Sequence, residues 1–191
     1  MKILFVLLSL SISAFSEPMT SPREVEYYKS SAEKGVLLGM VGLASCYYYG
    51  DGMAQDHVEA AKWSQKAIDQ AKLADLAAIS QLVWDCYHIL GQSYLKGRGV
   101  KKDVANAVVL FKKAAEEGCS FCQCALGECY FSGIGVPKDG VMSYMWLNLA
   151  AAEGDPVTMK MRDSAGSKLS SDQLAEAQRL CREWKPKKSG R

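Results

Sequence analysis

The stretch Leu126–Gly154, LGECYFSGIGVPKDGVMSYMWLNLAAAEG, decides the fold, because its spacing of residues recurs twice upstream. The copies start at Leu43 and Leu90. Counted from each leucine, a tyrosine follows four residues later, glycines follow seven and nine later, and an aspartate follows thirteen later. These positions are Tyr47, Tyr94 and Tyr130; Gly50/Gly52, Gly97/Gly99 and Gly133/Gly135; and Asp56, Asp103 and Asp139. Such a repeat predicts an array of similar units that bury each other's apolar faces.

Each copy predicts two helices joined by a glycine turn. The leucine, the tyrosine and a small residue four positions before the leucine share one face of the first helix, because four-residue steps stack on a helix. The glycine pair ends that helix, since glycine adopts left-handed backbone angles without steric cost. The aspartate is a predicted N-cap of the second helix. That helix carries small and large residues in alternation: Ala60/Trp63/Ala67, Ala107/Leu110/Ala114 and Ser143/Trp146/Ala150.

The first two copies are further apart than the last two. Leu90 and Leu126 are 36 residues apart, whereas Leu43 and Leu90 are 47 apart, so eleven residues are extra. They lie within residues 71–88, which contain no Gly or Pro and are rich in helix formers. We expect longer helices here, with a turn near Ala74 and Asp75, as a helix pair that projects from the array.

Capping helices are predicted at both ends of the array. Residues 22–35 form a half-unit in which Pro22 suits the first helical position. Three repeats follow, at about 36–74, 75–118 and 119–154. Residues 155–185 predict two more helices, the second beginning at a capping box, Ser170 to Gln173. Residues 186–191 are predicted to be a solvated basic tail.

The first sixteen residues, MKILFVLLSLSISAFS, are typical of a cleaved secretion signal. Lys2 precedes an apolar run, and Ala14-Phe15-Ser16 fits a small-x-small cleavage rule, so we expect cleavage after Ser16. The alternatives are a buried helix and a membrane anchor, but the run is shorter than the roughly 20 apolar residues that span a bilayer. No later stretch is apolar enough to span. A periplasmic or secreted protein is therefore expected.

Composition and motifs argue against several functions. The formal net charge of +2 is too small for nucleic acid binding, which normally needs a strongly basic face. His57 and His88 are the only histidines, and neither lies in a zinc-protease motif or beside a nucleophile elbow. The glycine pairs lie between helices, whereas a phosphate loop follows a strand. No catalytic group and no cofactor is indicated.

The pattern L-G-x-x-Y-x-x-G-x-G-V-x-x-D-x-x-x-A-x-x-W resembles the Sel-one-like repeat (SLR) family, which is related to tetratricopeptide repeats. The second copy fits with Leu110 in place of Trp, and the first departs at Ala44 and Met53. The segments SYMWLNLAAAEGD and QLAEAQRLCREWKPK resemble the closing parts of secreted bacterial members. The resemblance implies an all-α, right-handed α/α solenoid whose first helices line the concave side. It also implies an adaptor that holds protein partners in envelope assemblies or signalling complexes.

A polar strip along the first helices is the candidate binding site. Positions two and six after each leucine lie about 200° and 240° around the helix from the core column, at about 100° per residue. Two polar residues near the start of the second copy extend the strip. The candidates for binding a protein or peptide are Ser45, Tyr49, Asp85, His88, Gln92, Lys96, Glu128 and Ser132. An ordinary solvated helix face is an equal alternative, since position alone does not make a hot spot.

Seven cysteines in an exported chain suggest disulfides. Four of them occupy repeat positions that suit a small buried residue: Cys46, Cys86, Cys122 and Cys129. Cys119 and Cys122 form the candidate local disulfide. A structural zinc site wants four ligands, usually from two such pairs, so no metal is predicted. In SLR relatives a disulfide commonly uses the end of the second helix, where this chain has Ala114 and Ala115.

Three functions follow from these observations. The leading one is a periplasmic or secreted adaptor that binds a protein along its concave face, because three copies are in register. A binder or hydrolase of cell-wall fragments or β-lactams is the first alternative, since an envelope location brings such ligands within reach. A thiol redox protein acting through Cys119 and Cys122 is the second.

Overall fold

The computed structural model describes residues 20–73 and 81–187, and every regular element in these ranges is helical. The nine α-helices found there are α1 Pro22–Glu33, α2 Leu37–Tyr49, α3 His57–Leu73, α4 Trp84–Lys96, α5 Val104–Glu117, α6 Ser120–Ser132, α7 Gly140–Ala150, α8 Pro156–Gly166 and α9 Ser171–Glu183. Short 3-10 turns cover Gln81–Val83 and Ala151–Glu153. The expected signal, residues 1–16, and the expected turn near Ala74 and Asp75 lie outside the described residues.

The helices form an array with two unequal layers. Within each copy the two helices pack together, α2 on α3, α4 on α5 and α6 on α7. The first helices also contact each other, α2 with α4 and α4 with α6, whereas the second helices α3, α5 and α7 do not approach each other as closely. The closer layer must be the inner side of a curved array. The chain is an all-α repeat solenoid, as predicted, with the first helices on its concave face.

The leucine–glycine pair explains how the two helices of a copy fit together. A Cβ atom at Gly91 would lie 2.3 Å from the Phe111 ring, and one at Gly127 would lie 2.7 Å from Leu147 Cγ. The first copy has Ala44 at this position, and the residue equivalent to Phe111 is Ser64. Both are fully buried. A larger residue on the first helix is therefore matched by a smaller one on the second, which accommodates the departure at Ala44.

The second glycine of each turn lies against the preceding second helix. Gly99 and Gly135 have φ values of +73° and +71°. A Cβ at Gly99 would lie 2.1 Å from the His57 carbonyl oxygen. At Gly135 it would lie 2.8 Å from side-chain atoms of Val104 and Val108. Both the backbone angle and the close approach require glycine, so these turns fix the spacing between successive copies.

The repeated aspartates cap the second helices, as expected. Asp103 Oδ1 accepts a hydrogen bond from the Asn106 backbone N–H at 3.0 Å, and Asp139 Oδ1 accepts one from Met142 at 3.0 Å. Their recurrence therefore has a structural cause.

Of the two described helices that flank the insertion, only α3 is longer than its counterparts. α3 has 17 residues, compared with 14 in α5 and 11 in α7. α4 has 13 residues, the same as α2 and α6. The prediction of longer helices is therefore wrong for α4. It starts at the usual repeat position because a 3-10 turn, ending in buried Val83, precedes it.

The last two helices make a fourth, incomplete unit. α8 starts 36 residues after α6, and its N-cap, Asp155, follows Cys119, the N-cap of α6, by the same interval. The positions of the repeat's leucine and tyrosine are occupied here by Arg162 and Gly166. α9 packs against α7 and makes little contact with α8. The helix pairing that defines the other units is thus lost.

The chain after α9 returns to the middle of the array. The Trp184 ring lies edge-on to Trp146, with centroids 6.4 Å apart. The Lys187 N–H donates to the Glu116 carbonyl at 2.7 Å, and Lys187 Nζ lies 2.8 Å from Glu116 Oε2. Residues 186–187 are exposed, in keeping with the predicted solvated tail, and Lys187 is in addition bound to α5. Residues 188–191 lie outside the described part.

Candidate functional site

Four positions of each first helix lie on the concave face. They fall five and two residues before the leucine and two and six after it, a spacing that keeps side chains on one side of a helix. We call them the groove residues: Leu38, Val41, Ser45 and Tyr49 on α2; Asp85, His88, Gln92 and Lys96 on α4; Phe121, Cys124, Glu128 and Ser132 on α6. All except Val41 are at least partly exposed. The groove contains all eight predicted site residues.

Two apolar groove residues were missed from the sequence. Phe121 is 62% exposed, and its ring centroid lies 5.8 Å from that of His88. Leu38 occupies the equivalent position on α2 and is also exposed. Both share the repeat position of Asp85, so extending the helical spacing one turn toward the N-terminus would have found them.

His88 and Gln92 form the polar centre of the groove. Burial, and to a lesser extent the positive charge of Lys96, lower the pKa of His88 to about 4, so the imidazole is neutral at pH 7. Its Nε2 lies 3.5 Å from Gln92 Nε2. Gln92 Oε1 is buried and has no hydrogen-bond partner among the described residues. The groove therefore holds an unused acceptor, and such groups favour a ligand that donates an N–H.

Tyr49 and Asp85 show how the curvature affects exposed groups. The Tyr49 side chain is 62% exposed, yet desolvation and the charge of Asp85 raise its pKa to about 12. Desolvation also raises the pKa of Asp85, although that residue is exposed. On a concave surface a side chain is open to contact while protein on both sides displaces much of the surrounding water. No cation of residues 20–73 or 81–187 lies within ion-pair distance of Asp85.

A pocket continues the groove between α6 and α8. It has a volume of about 580 Å³. Ala125, Cys129 and Leu147 are buried residues that line it. The remaining side chains come from Leu95, Glu128, Phe131, Ser132, Ile134, Val157, Lys160, Met161 and Ser164. Desolvation raises the pKa of Glu128, and nearby Lys96 opposes the shift. The lining is mostly apolar, with one carboxylate and one ammonium group on opposite helices.

The cysteines are free thiols in the structure. Cys119 and Cys122 are only 1% and 0% exposed, and Cys119 Sγ accepts the Cys122 backbone N–H at 3.3 Å. Burial raises the pKa of the Cys122 thiol, which disfavours the reactive thiolate. This environment gives no support to the redox alternative, and the local disulfide stays a prediction. Across residues 20–73 and 81–187, no three His, Cys, Asp or Glu side chains are grouped as metal ligands.

Comparisons with known proteins agree on the repeats. The Sel1 repeat family matches residues 37–72, 84–119 and 120–155. A protective antigen present in uropathogenic Escherichia coli strains, displaying an SLR fold, is 29% identical with a TM-score of 0.55, over 96% of this chain and 44% of that one. A Sel1 repeat protein from Oxalobacter formigenes is 32% identical with a TM-score of 0.55, over 74% of this chain and 98% of that one.

The chain therefore spans less than half the length of the Escherichia coli protein. No curated relative matches the chain significantly. Among the described helices, none is long and apolar enough to cross a membrane.

Proposed function

The chain belongs to the Sel1 repeat family, and from this premise we propose that it is an adaptor that binds a protein or peptide partner along its groove residues. Sel1 repeats generally mediate protein–protein interaction, and their scaffolds are generally non-catalytic. The observation that carries the proposal is the groove itself, in which exposed aromatic rings lie beside Gln92 and Asp85. Within the described part of the chain, Gln92 Oε1 has no hydrogen-bond partner and Asp85 has no ion-pair partner.

The composition of the groove suits a polypeptide. Tyr49 and Phe121 offer large, rigid contact surfaces of the kind that dominate protein interfaces. Gln92 Oε1 can accept a hydrogen bond from a peptide N–H, which would satisfy a buried group that otherwise lacks a partner. Asp85 is already partly desolvated, so a partner's cation displaces little additional water from it. An aromatic, polar and charged strip of this kind supports recognition of an extended segment.

The partner is tested by affinity capture from the native envelope, read by mass spectrometry. Replacing Tyr49, Gln92, Lys96 and Glu128 together by alanine should abolish capture and leave the helical content unchanged. The matched control replaces Glu26, Tyr27, Gln65 and Lys112, the same residue types on α1, α3 and α5. Equal capture by both variants would exclude the groove as the binding site.

We also propose that the adaptor acts in the periplasm or outside the cell. The support is the amino-terminal signal pattern that ends at Ser16. Cell fractionation followed by N-terminal sequencing should find a mature protein that begins at Glu17. An uncleaved protein in the cytosolic fraction would contradict this location.

A further inference from the structure

The pocket between α6 and α8 lies where these two helices separate. In the complete copies a leucine fills the space at the centre of the first helix, and a tyrosine follows one turn later. α8 has Arg162 and Gly166 instead, and neither lines the pocket. The Arg162 side chain is only 25% exposed, and its Nε donates to Asp163 Oδ1 at 2.9 Å. A Cβ at Gly166 would meet the Tyr144 ring of α7 at 2.9 Å. α8 touches α6 at its start, where Thr158 Oγ1 lies 3.7 Å from Cys124 Sγ. Farther along, the two backbones are not in close contact.

The rim of the pocket is a continuation of the groove. Counted from Arg162, the groove positions of α8 are Val157, Lys160 and Ser164. All three line the pocket, as do Glu128 and Ser132 on α6. The pocket is therefore the last section of the concave face, open to any segment that lies along it.

We propose that this pocket is the anchor subsite of the groove and takes a large aliphatic or aromatic side chain from the partner's peptide segment. A basic side chain of the same segment pairs with Asp85. This proposal rests on the proposed function, and it specifies the partner as an extended segment with an apolar anchor and a cation.

Both parts of the segment follow from the chemistry of the groove. Burying a large apolar side chain against the apolar lining is favourable in proportion to the area removed from water. A cation is specified because Asp85 is a partly desolvated carboxylate with no cation beside it in the described chain. Glu128 differs, since Lys96 already lies near it.

The spacing between the two side chains follows from helix geometry. Leu95, near the end of α4, lines the pocket. Asp85 lies near the start of the same helix, ten residues earlier, which is about 15 Å along the helix at a rise of about 1.5 Å per residue. An extended chain rises about 3.3 Å per residue, so the basic residue is expected about five residues from the anchor.

The experiment selects a displayed library of random 12-residue peptides on the protein that accumulates when the full chain is expressed. Enriched peptides should carry Leu, Ile, Met, Phe or Trp about five residues from Lys or Arg. The best peptide, made with a fluorescent label, is then titrated by anisotropy against variants. Ser164→Trp fills the pocket from its rim, and Asp163→Trp adds the same residue beside it, outside the pocket lining. Asp85→Asn removes the carboxylate, and Glu26→Gln makes the same change on α1.

Ser164→Trp should weaken binding about 10- to 100-fold, the range for burying one large apolar side chain. Asp85→Asn should weaken it about fivefold, and both controls should stay within twofold. In the wild-type protein, replacing the peptide's apolar anchor with alanine should weaken binding as much as Ser164→Trp does. In the Ser164→Trp variant, the same peptide change should weaken binding little further.

The two proposals fail differently. One outcome is that the selected peptides lose affinity for the variant lacking Tyr49, Gln92, Lys96 and Glu128 but bind Ser164→Trp as well as wild type. That outcome would overturn the anchor proposal and leave the adaptor proposal standing. Binding of a fatty acid or detergent in the pocket, with no competition by the selected peptide, would also overturn the anchor. If no peptide is enriched, or if enriched peptides ignore every groove variant, the adaptor proposal falls as well.

Discussion

The third copy and the unit after it occupy successive steps of the same array and pack differently. α6 and α8 begin 36 residues apart and are both capped by a side chain at the preceding residue. α6 carries Leu126 and Tyr130, and it pairs with α7. α8 carries Arg162 and Gly166, and α9 leaves it to pack on α7. The two units thus share their spacing and their cap, but only the third copy has the buried leucine, the tyrosine and the paired second helix.

The largest effect is expected at the centre of the complete copy. Leu126 is fully buried, so Leu126→Ala should lower the free energy of unfolding by about 3 kcal/mol, from lost burial and the cavity it leaves. Arg162→Ala, at the same step of α8, should change it by less than about 0.5 kcal/mol. Urea denaturation followed by circular dichroism measures both. Equal losses would mean that the fourth unit is packed as tightly as the third.

The glycine turns give the next contrast. Gly135→Ala should cost about 2 kcal/mol, because a Cβ there meets Val104 and Val108 at 2.8 Å and φ is +71°. Gly154 precedes the incomplete unit and has φ +85°, but a Cβ would meet nothing within 4 Å. Gly154→Ala should therefore cost only about 1 kcal/mol of backbone strain. Matched urea curves compare the two, and a larger loss at Gly154 would contradict the packing described here.

Removing the end of the chain tests how the fourth unit is held. A stop after Glu183 removes Trp184 from Trp146 and Lys187 from Glu116, and should cost about 1.5 kcal/mol. The control is a stop after Lys187, which keeps both contacts and should leave the melting temperature unchanged. Thermal denaturation of both truncated chains measures the difference in melting temperature. Identical melting of the two truncated chains would mean that these contacts contribute nothing.

Restoring the repeat residue should make the two units more alike. Arg162→Leu should raise stability by about 0.5 kcal/mol, since it places an apolar side chain where Arg162 is only 25% exposed and loses only an ion pair to exposed Asp163. Binding of the selected peptide should not change, because Arg162 does not line the pocket. Arg23→Leu, on the exposed side of α1, is the control and should not raise stability. Equal stability of the two variants in urea denaturation would contradict this packing of Arg162.

The smallest effect at neutral pH is expected at His88, in a complete copy. Its folded-state pKa of about 4 lies below the ordinary value of 6.5, so the folded protein binds fewer protons than the unfolded chain. Full stability is present above pH 6.5 and is lost as the pH falls toward 4. His88→Gln should make the free energy of unfolding less dependent on pH, and should change its value little at pH 7. Urea midpoints from pH 7 to 4 provide the measurement, and a parallel decline in both proteins would contradict the assignment.

The sequence predicted the repeated features well because each depends on local chemistry. Glycines with positive φ, aspartate caps and the buried leucines each require one residue type at one position. Eight groove residues followed from helix periodicity. Leu38, Val41, Phe121 and Cys124 were missed because the periodicity was extended toward the N-terminus only in the second copy. The length of α4 was predicted wrongly, and the contact of Lys187 with Glu116 was not predicted. Both depend on residues distant in sequence, the core around Val83 and Glu116, which local patterns do not encode.

The return of the tail to Glu116 also sets the mechanical character of the molecule. A solenoid behaves as a spring, because each unit normally touches only its neighbours. Here Trp184 contacts Trp146 of the third copy, and Lys187 reaches past that copy to Glu116 of the second. A change of curvature around a bound segment would strain the Lys187 contact, so this contact favours the existing curvature. A segment must therefore fit the curvature that already exists, and little of its binding energy is spent on bending the receptor.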